Sequence, residues 1–96
     1  MKTTEEYLSL LRQYKAAHAK EYGIERMGIF GSVARGEHTE ESDVDIYYEG
    51  PSLGLKSFGL EREIEEFLGV RIDLIRKHNN IRPRFMERIM KDIIYV

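Results

Sequence analysis

The sequence predicts an α/β or α+β domain with a small three-stranded sheet flanked by helices, and three observations carry that prediction. Apolar residues recur at helical spacing near the N-terminus and again in two later stretches, short β-branched runs separate them, and glycines stand at the joints. The resulting order is helix, strand, short helix, strand, helix, strand, helix, which calls for helices covering at least one face of a sheet.

The elements follow in turn. Residues 4–21 form the first expected helix: Tyr7, Leu10, Leu11, Tyr14 and Ala17 share a stripe, Thr3 or Thr4 supplies the N-cap and Gly23 the stop. Residues 26–30 make a short first strand that halts at Gly31, and a short helix can begin there. Residues 43–48 alternate acid with β-branched residue before two tyrosines, so Val44 and Ile46 face a core while Asp43, Asp45 and Tyr47 face the other way; Gly50-Pro51 closes the strand. Ser52 is the expected cap of a long helix whose apolar stripe is Leu60, Ile64, Phe67 and Leu68, with Glu61, Glu63, Glu65 and Glu66 mostly on the wet side and Gly69 at its end. Residues 70–75 read as a third strand, with Val70, Ile72 and Leu74 on one face and Arg71, Asp73 and Ile75 on the other. Asn79 or Asn80 is the expected cap of a last helix with Ile81, Phe85, Ile89, Met90 and Ile93 on its apolar face, running to Tyr95-Val96.

Composition narrows the class. A chain of 96 residues exceeds the roughly 70–80 below which one apolar core rarely suffices, so residues 1–96 are expected to make a single domain. At 42% hydrophobic and 33% charged it is too apolar for disorder. No run approaches the length of a membrane span and the N-terminus lacks the apolar stretch of a signal peptide, so a cytoplasmic location with no membrane partner is expected. With no cysteine, any metal must be held by oxygen or imidazole, which favours hard cations such as Mg²⁺. Net charge is −2 and the 15 basic residues form no block, so direct nucleic-acid binding is not expected.

Three aspartates fall on expected strands, where aspartate is disfavoured, and Asp43 and Asp45 project from the same side. Two like charges so close repel one another unless a divalent cation lies between them. A rival explanation is an acidic edge strand that discourages aggregation. Gly31-Ser32, upstream of the pair at a strand end, tips the balance: glycine lets backbone approach a phosphate and serine adds a hydroxyl donor. Phosphate and metal sites together imply a nucleotide triphosphate. Two other motifs are rejected. Gly31 and Gly36 have Walker A spacing, but Glu37-His38 stands where Lys-Ser/Thr is required, and Asp43-x-Asp45 begins like a calcium loop, but Tyr47 and Tyr48 occupy a ligand position and the obligatory glycine.

The string Gly31-Ser-Val-Ala-Arg-Gly-Glu37 followed by Ser42-Asp-Val-Asp-Ile46 resembles the signature of the polymerase-beta-like nucleotidyltransferase superfamily: Gly-Ser, ten residues, then Asp-x-Asp. Pro51-Ser-Leu53, Leu68-Gly69, the run ending at Ile75 and Tyr95-Val96 extend the similarity to its minimal, stand-alone branch, often paired with a HEPN-domain ribonuclease toxin. The resemblance implies a mixed sheet with the nucleotidyltransferase fold of the polymerase-beta palm. It also implies that Gly31 and Ser32 form the triphosphate-binding turn, that Asp43 and Asp45 bind two Mg²⁺ ions, and that Asp73 is the third carboxylate, a metal ligand or general base. All five positions are filled.

Arg35 is a further candidate for steadying the phosphates through its planar fork, with plain solvation as its alternative. Ser42 has at most the role of ordering the turn before Asp43. His18, His38 and His78 show no mutual metal-ligand spacing and receive no role. A chain this short leaves no room for an acceptor-binding domain. The resemblance therefore implies an antitoxin that adenylylates a tyrosine hydroxyl of a HEPN toxin with ATP, in a hetero-oligomer. Two alternatives are neutralisation by binding alone, through the apolar residues around Phe85, Met86 and Tyr95, and nucleotide transfer to a small molecule or RNA end.

Overall fold

A computed structural model describes residues 1–96. Helix α1 spans Thr4–Tyr22 and opens on a capping box in which the Thr3 hydroxyl accepts from the Glu6 N–H at 3.2 Å and Glu6 Oε1 accepts from the Thr3 N–H at 2.9 Å. Such a cap stabilises a helix by about 1 kcal/mol. Gly23 ends it in the left-handed conformation. Strand β1 (Arg26–Phe30), helix α2 (Gly31–Arg35), strand β2 (Val44–Glu49), helix α3 (Lys56–Leu68), strand β3 (Ile72–Arg76), helix α4 (Pro83–Asp92) and strand β4 (Ile94–Tyr95) follow.

The sheet is mixed, in the order β3-β2-β1-β4. Strands β1 and β2 pair antiparallel, β2 and β3 pair parallel through the α3 crossover, and β4 returns antiparallel to β1. The three expected strands are present and a fourth is added: the segment expected to finish the last helix pairs Ile94 and Tyr95 with Ile29 and Gly28. Two residues carry too little periodicity to reveal a strand. Gly28 makes the approach possible, since a Cβ there would lie 2.6 Å from the Ile94 carbonyl oxygen.

Several local expectations are corrected. Ser52 does not cap α3, which starts at Lys56 without a side-chain cap, because Gly54 takes a left-handed φ of +58 and interrupts the helix before it. Asn79 and Asn80 lie in a turn, and α4 starts at Pro83, whose fixed φ suits the first helical turn; Ile81 therefore lies outside the helix. Asp43 precedes β2, and β2 is an interior strand, which removes the edge-strand explanation of its acids.

Helices cover both faces. Tyr7, Leu8, Leu11 and Tyr14 of α1 and Leu60, Ile64 and Leu68 of α3 meet Met27, Ile29, Val44, Ile46, Tyr48 and Ile72 of the sheet in the larger core. On the opposite face Phe30, Tyr47 and Ile89 form a smaller buried cluster beneath α4. Phe67 is half-exposed, its ring edge-on to Tyr14 at 5.8 Å. Glu63 and Glu65 are not simply solvated: Glu63 accepts from the hydroxyls of Tyr14 at 3.0 Å and Tyr22 at 2.5 Å, and Glu65 accepts from the Ile72 N–H at 3.1 Å. No helix is long and apolar enough to cross a membrane.

Candidate active site

Strand β1 ends at Phe30, and Gly31 turns the chain into α2 with φ +74, a conformation glycine adopts without strain. The ladder pairs Phe30 with Asp45 and Asp45 with Asp73. Adjacent strands lie about 4.8 Å apart, so the turn, the Asp45 carboxylate and the Asp73 carboxylate form one row across β1, β2 and β3. A Cβ on Gly31 would collide with the Asp45 carboxylate oxygen. Glycine at that position is therefore required twice over, by its φ and by its neighbour. Helix α2 is anchored by buried Val33 and by the Thr4 hydroxyl, which donates to the Val33 carbonyl at 2.6 Å. The first N–H groups of a helix have no intrahelical partners and are available to an anion.

Asp43 lies just before the ladder, exposed, with Arg71 Nε 3.6 Å from its carboxylate. Ser42 orders the approach, its hydroxyl accepting from the Thr39 N–H at 3.0 Å. Asp45 is half-buried, and burial first, then the charges of Asp73 and Asp43, push its carboxyl up to about 6 from the ordinary 3.8. That crowding, in a donor set made only of oxygens, fits a hard divalent cation, whose charge would offset the repulsion. Asp43, Asp45 and Asp73 do not converge within 4.8 Å of one another as a single tight ligand group would.

A pocket of about 340 Å³ opens beside this row, lined by Gly31, Ser32 and Asp45 on one side and by Phe85 and Arg88 of α4 on the other. Arg35 also borders it, but its guanidinium is engaged: Nε donates to Glu37 at 2.7 Å and Nη1 to Asp92 of α4 at 2.5 Å. Glu37 first and Asp92 second raise its pKa further. The structure thus brings Gly31, Ser32, Asp45 and Asp73 together with Asp43 at the rim, and ties Arg35 to the neighbouring helix. Sequence reasoning missed Phe85 and Arg88 as pocket residues and Asp92 as the partner of Arg35; the available signal was their common face at helical spacing on α4.

A second group, His18, Glu21 and Glu63, does bring ligand atoms within 4.8 Å of one another. Its members already have partners. His18 Nδ1 lies 3.3 Å from Glu21, its ring stacks on Tyr14, and Glu63 takes the two tyrosine hydroxyls that join α1 to α3. Those hydrogen bonds, that from Tyr22 foremost, hold the Glu63 carboxyl below its usual range.

Comparison with known proteins accords with this geometry. The nucleotidyltransferase domain family matches residues 11–96. A candidate protein adenylyltransferase of Methanocaldococcus jannaschii is 40% identical over 99 aligned positions, covering 100% of both chains. The protein adenylyltransferase MntA of Thermococcus cleftensis is 38% identical, covering 100% of this chain and 98% of its own. A solved structure of a candidate minimal nucleotidyltransferase superposes with a TM-score of 0.78 at 30% identity, over 97% of this chain and 95% of its own. A crystal structure of the toxin–antitoxin MntA–HpeT shares the fold, with a TM-score of 0.69 at 14% identity over 98% of this chain and 72% of that one. With the Gly-Ser turn, the interior Asp45 and the parallel-paired Asp73 all in place, the chain belongs to the nucleotidyltransferase domain family, in its minimal form.

Proposed function

We propose that this protein is an antitoxin that transfers AMP from ATP to a tyrosine hydroxyl of a HEPN-domain ribonuclease toxin, in a Mg²⁺-dependent reaction. The observation that carries the reading is the row formed by Gly31, Asp45 and Asp73 on three neighbouring strands. The similarity to protein adenylyltransferases along the whole chain supports it, as does the toxin–antitoxin pairing of a structural relative.

In this reading the backbone at Gly31 and the Ser32 hydroxyl hold the triphosphate. Asp43, Asp45 and Asp73 would hold two Mg²⁺ ions, which when bound neutralise charge on the attacking and leaving oxygens. The tyrosine oxygen forms a bond to the α-phosphorus as the bond from that phosphorus to pyrophosphate breaks. The hydroxyl proton passes to Asp73, which is exposed and open to an incoming acceptor.

The test incubates the protein with Mg²⁺, α-labelled ATP and a HEPN partner encoded beside it. Label should appear on a partner tyrosine and be lost, by about 10³-fold or more in rate, with Asp43→Ala plus Asp45→Ala. Transfer that survives the double change would sink the assigned site. Toxin neutralisation that survives while transfer is lost would establish action by binding alone.

A further inference from the structure

We infer that Arg88, not Arg35, is the pocket cation that grips the β- and γ-phosphates of the nucleotide triphosphate. The inference rests on the nucleotidyl-transfer reading and assigns a binding residue that reading leaves open.

A triphosphate entering this pocket meets the carboxylate of Asp45, with Asp73 beside it on the neighbouring strand, so cations are needed to make it welcome. Divalent ions would serve the carboxylate side; the far side must be served by the protein. Two guanidinium groups border the pocket, those of Arg35 and Arg88. Arg35 has its Nε committed to Glu37 and an Nη to Asp92, and releasing it would break the ion pair that joins α2 to α4. Arg88 is exposed, and no hydrogen bond or ion pair holds its side chain.

Its location is fixed without its being used. Phe85, Arg88 and Asp92 follow one another at i, i+3 and i+7 along a single face of α4. Phe85 packs edge-on against Phe30 at 6.2 Å and Asp92 pairs with Arg35. The two contacts pin that face against the end of β1 and the start of α2, and Arg88, between them in sequence, lines the same pocket as Gly31 and Ser32. A planar fork with five donors matches the bidentate geometry of phosphate oxygens. Arg35 then becomes a positioning residue: it holds α4, and through α4 it holds Arg88.

Equilibrium dialysis with labelled ATP and labelled AMP, in Mg²⁺, tests this on the full chain. Arg88→Ala should weaken ATP binding by about tenfold or more, leave AMP binding within about twofold, and leave the melting temperature unchanged because the side chain has no protein partner. Arg88→Gln, which keeps the apolar stem, should behave like Arg88→Ala, and Arg88→Lys should recover part of the ATP affinity. ATP affinity retained by Arg88→Ala but lost in Asp43→Ala plus Asp45→Ala overturns the assignment and leaves nucleotidyl transfer standing. Equal loss of ATP and AMP binding overturns it too, by moving Arg88 away from the terminal phosphates. A wild-type chain that binds no ATP brings down the parent reading and this assignment with it.

Discussion

Sixteen buried residues fill the core packed against α1 and α3, whereas Phe30, Tyr47 and Ile89 alone are buried in the cluster beneath α4. The larger core supplies most of the apolar burial, and hence most of the stability. The smaller one carries the pocket. Asp45 and Tyr47 point to the α4 side of the same strand that sends Val44, Ile46 and Tyr48 into the main core, so β2 divides structure from chemistry residue by residue. A helix held by few buried side chains and one ion pair opens at lower free energy than the body of the protein. Here that helix bears Phe85 and Arg88.

The sharpest way to break this contrast is to cut matching holes on the two sides. Ile64→Ala should lower global stability by about 2–5 kcal/mol, seen as a lower denaturant midpoint with loss of amide protection throughout. Ile89→Ala, at an equally buried position, should speed exchange mainly in residues 83–95 and spare α1 and α3. Uniform loss of protection in Ile89→Ala would show that the two faces are one cooperative unit.

Next in size is Gly31→Ala set against Gly36→Ala. Both residues have left-handed φ, +74 and +71, so both changes carry a backbone cost of about 1–2 kcal/mol. Only at Gly31 would the new Cβ meet Asp45; at Gly36 there is open space. Nucleotide transfer should therefore fall far more in the first variant at similar loss of stability, and equal activities would refute the close packing of turn and carboxylate.

Arg35→Ala should act more weakly. Its side chain is about half exposed, at 47%, so melting should hardly move, while exchange in α4 rises on the order of a few fold.

A further contrast is electrostatic. The Asp45 carboxyl sits at about 6 in the fold against an ordinary 3.8, so the fold binds its proton more tightly than the unfolded chain does. Metal-free protein should hold this contribution in full below about pH 4 and lose it as pH rises through about 6. Millimolar Mg²⁺ should return stability at pH 7 and do little at pH 4.5, and Asp45→Asn should flatten the metal-free pH profile. A profile already flat in the wild-type protein would contradict the crowding of the carboxylates.

The same contrast separates what the sequence reveals from what it hides. The stripe through Tyr7, Leu11 and Tyr14 and the alternation from Val44 to Tyr48 are local patterns, and each gives its element within a residue or two. The Gly31-Ser32 turn and the three aspartates were legible because strand ends and a fixed interval place them. Strand β4 was hidden because pairing with β1 depends on Gly28, some 66 positions upstream of Ile94, and two residues have no period of their own. Arg35 and Asp92 lie 57 positions apart, so no spacing could announce the ion pair that ties Arg35 to α4. Glu63 looked solvated for a similar reason, since its tyrosine partners lie 41 and 49 positions upstream.

The ten residues between Ser32 and Asp43 run from the rest of α2, through the left-handed Gly36, to a turn closed by Thr39 and Ser42. None of the exposed residues at 37, 40 and 41 enters the pocket, yet the segment delivers Asp45 opposite Phe30. A slip of one residue would turn Asp45 into the core and Ile46 out toward the nucleotide. The interval thus works as a ruler. Substitutions at the exposed positions 37, 40 and 41 should leave the site in place, so long as Val44, Ile46 and Tyr48 still face the core and hold β2 in this register.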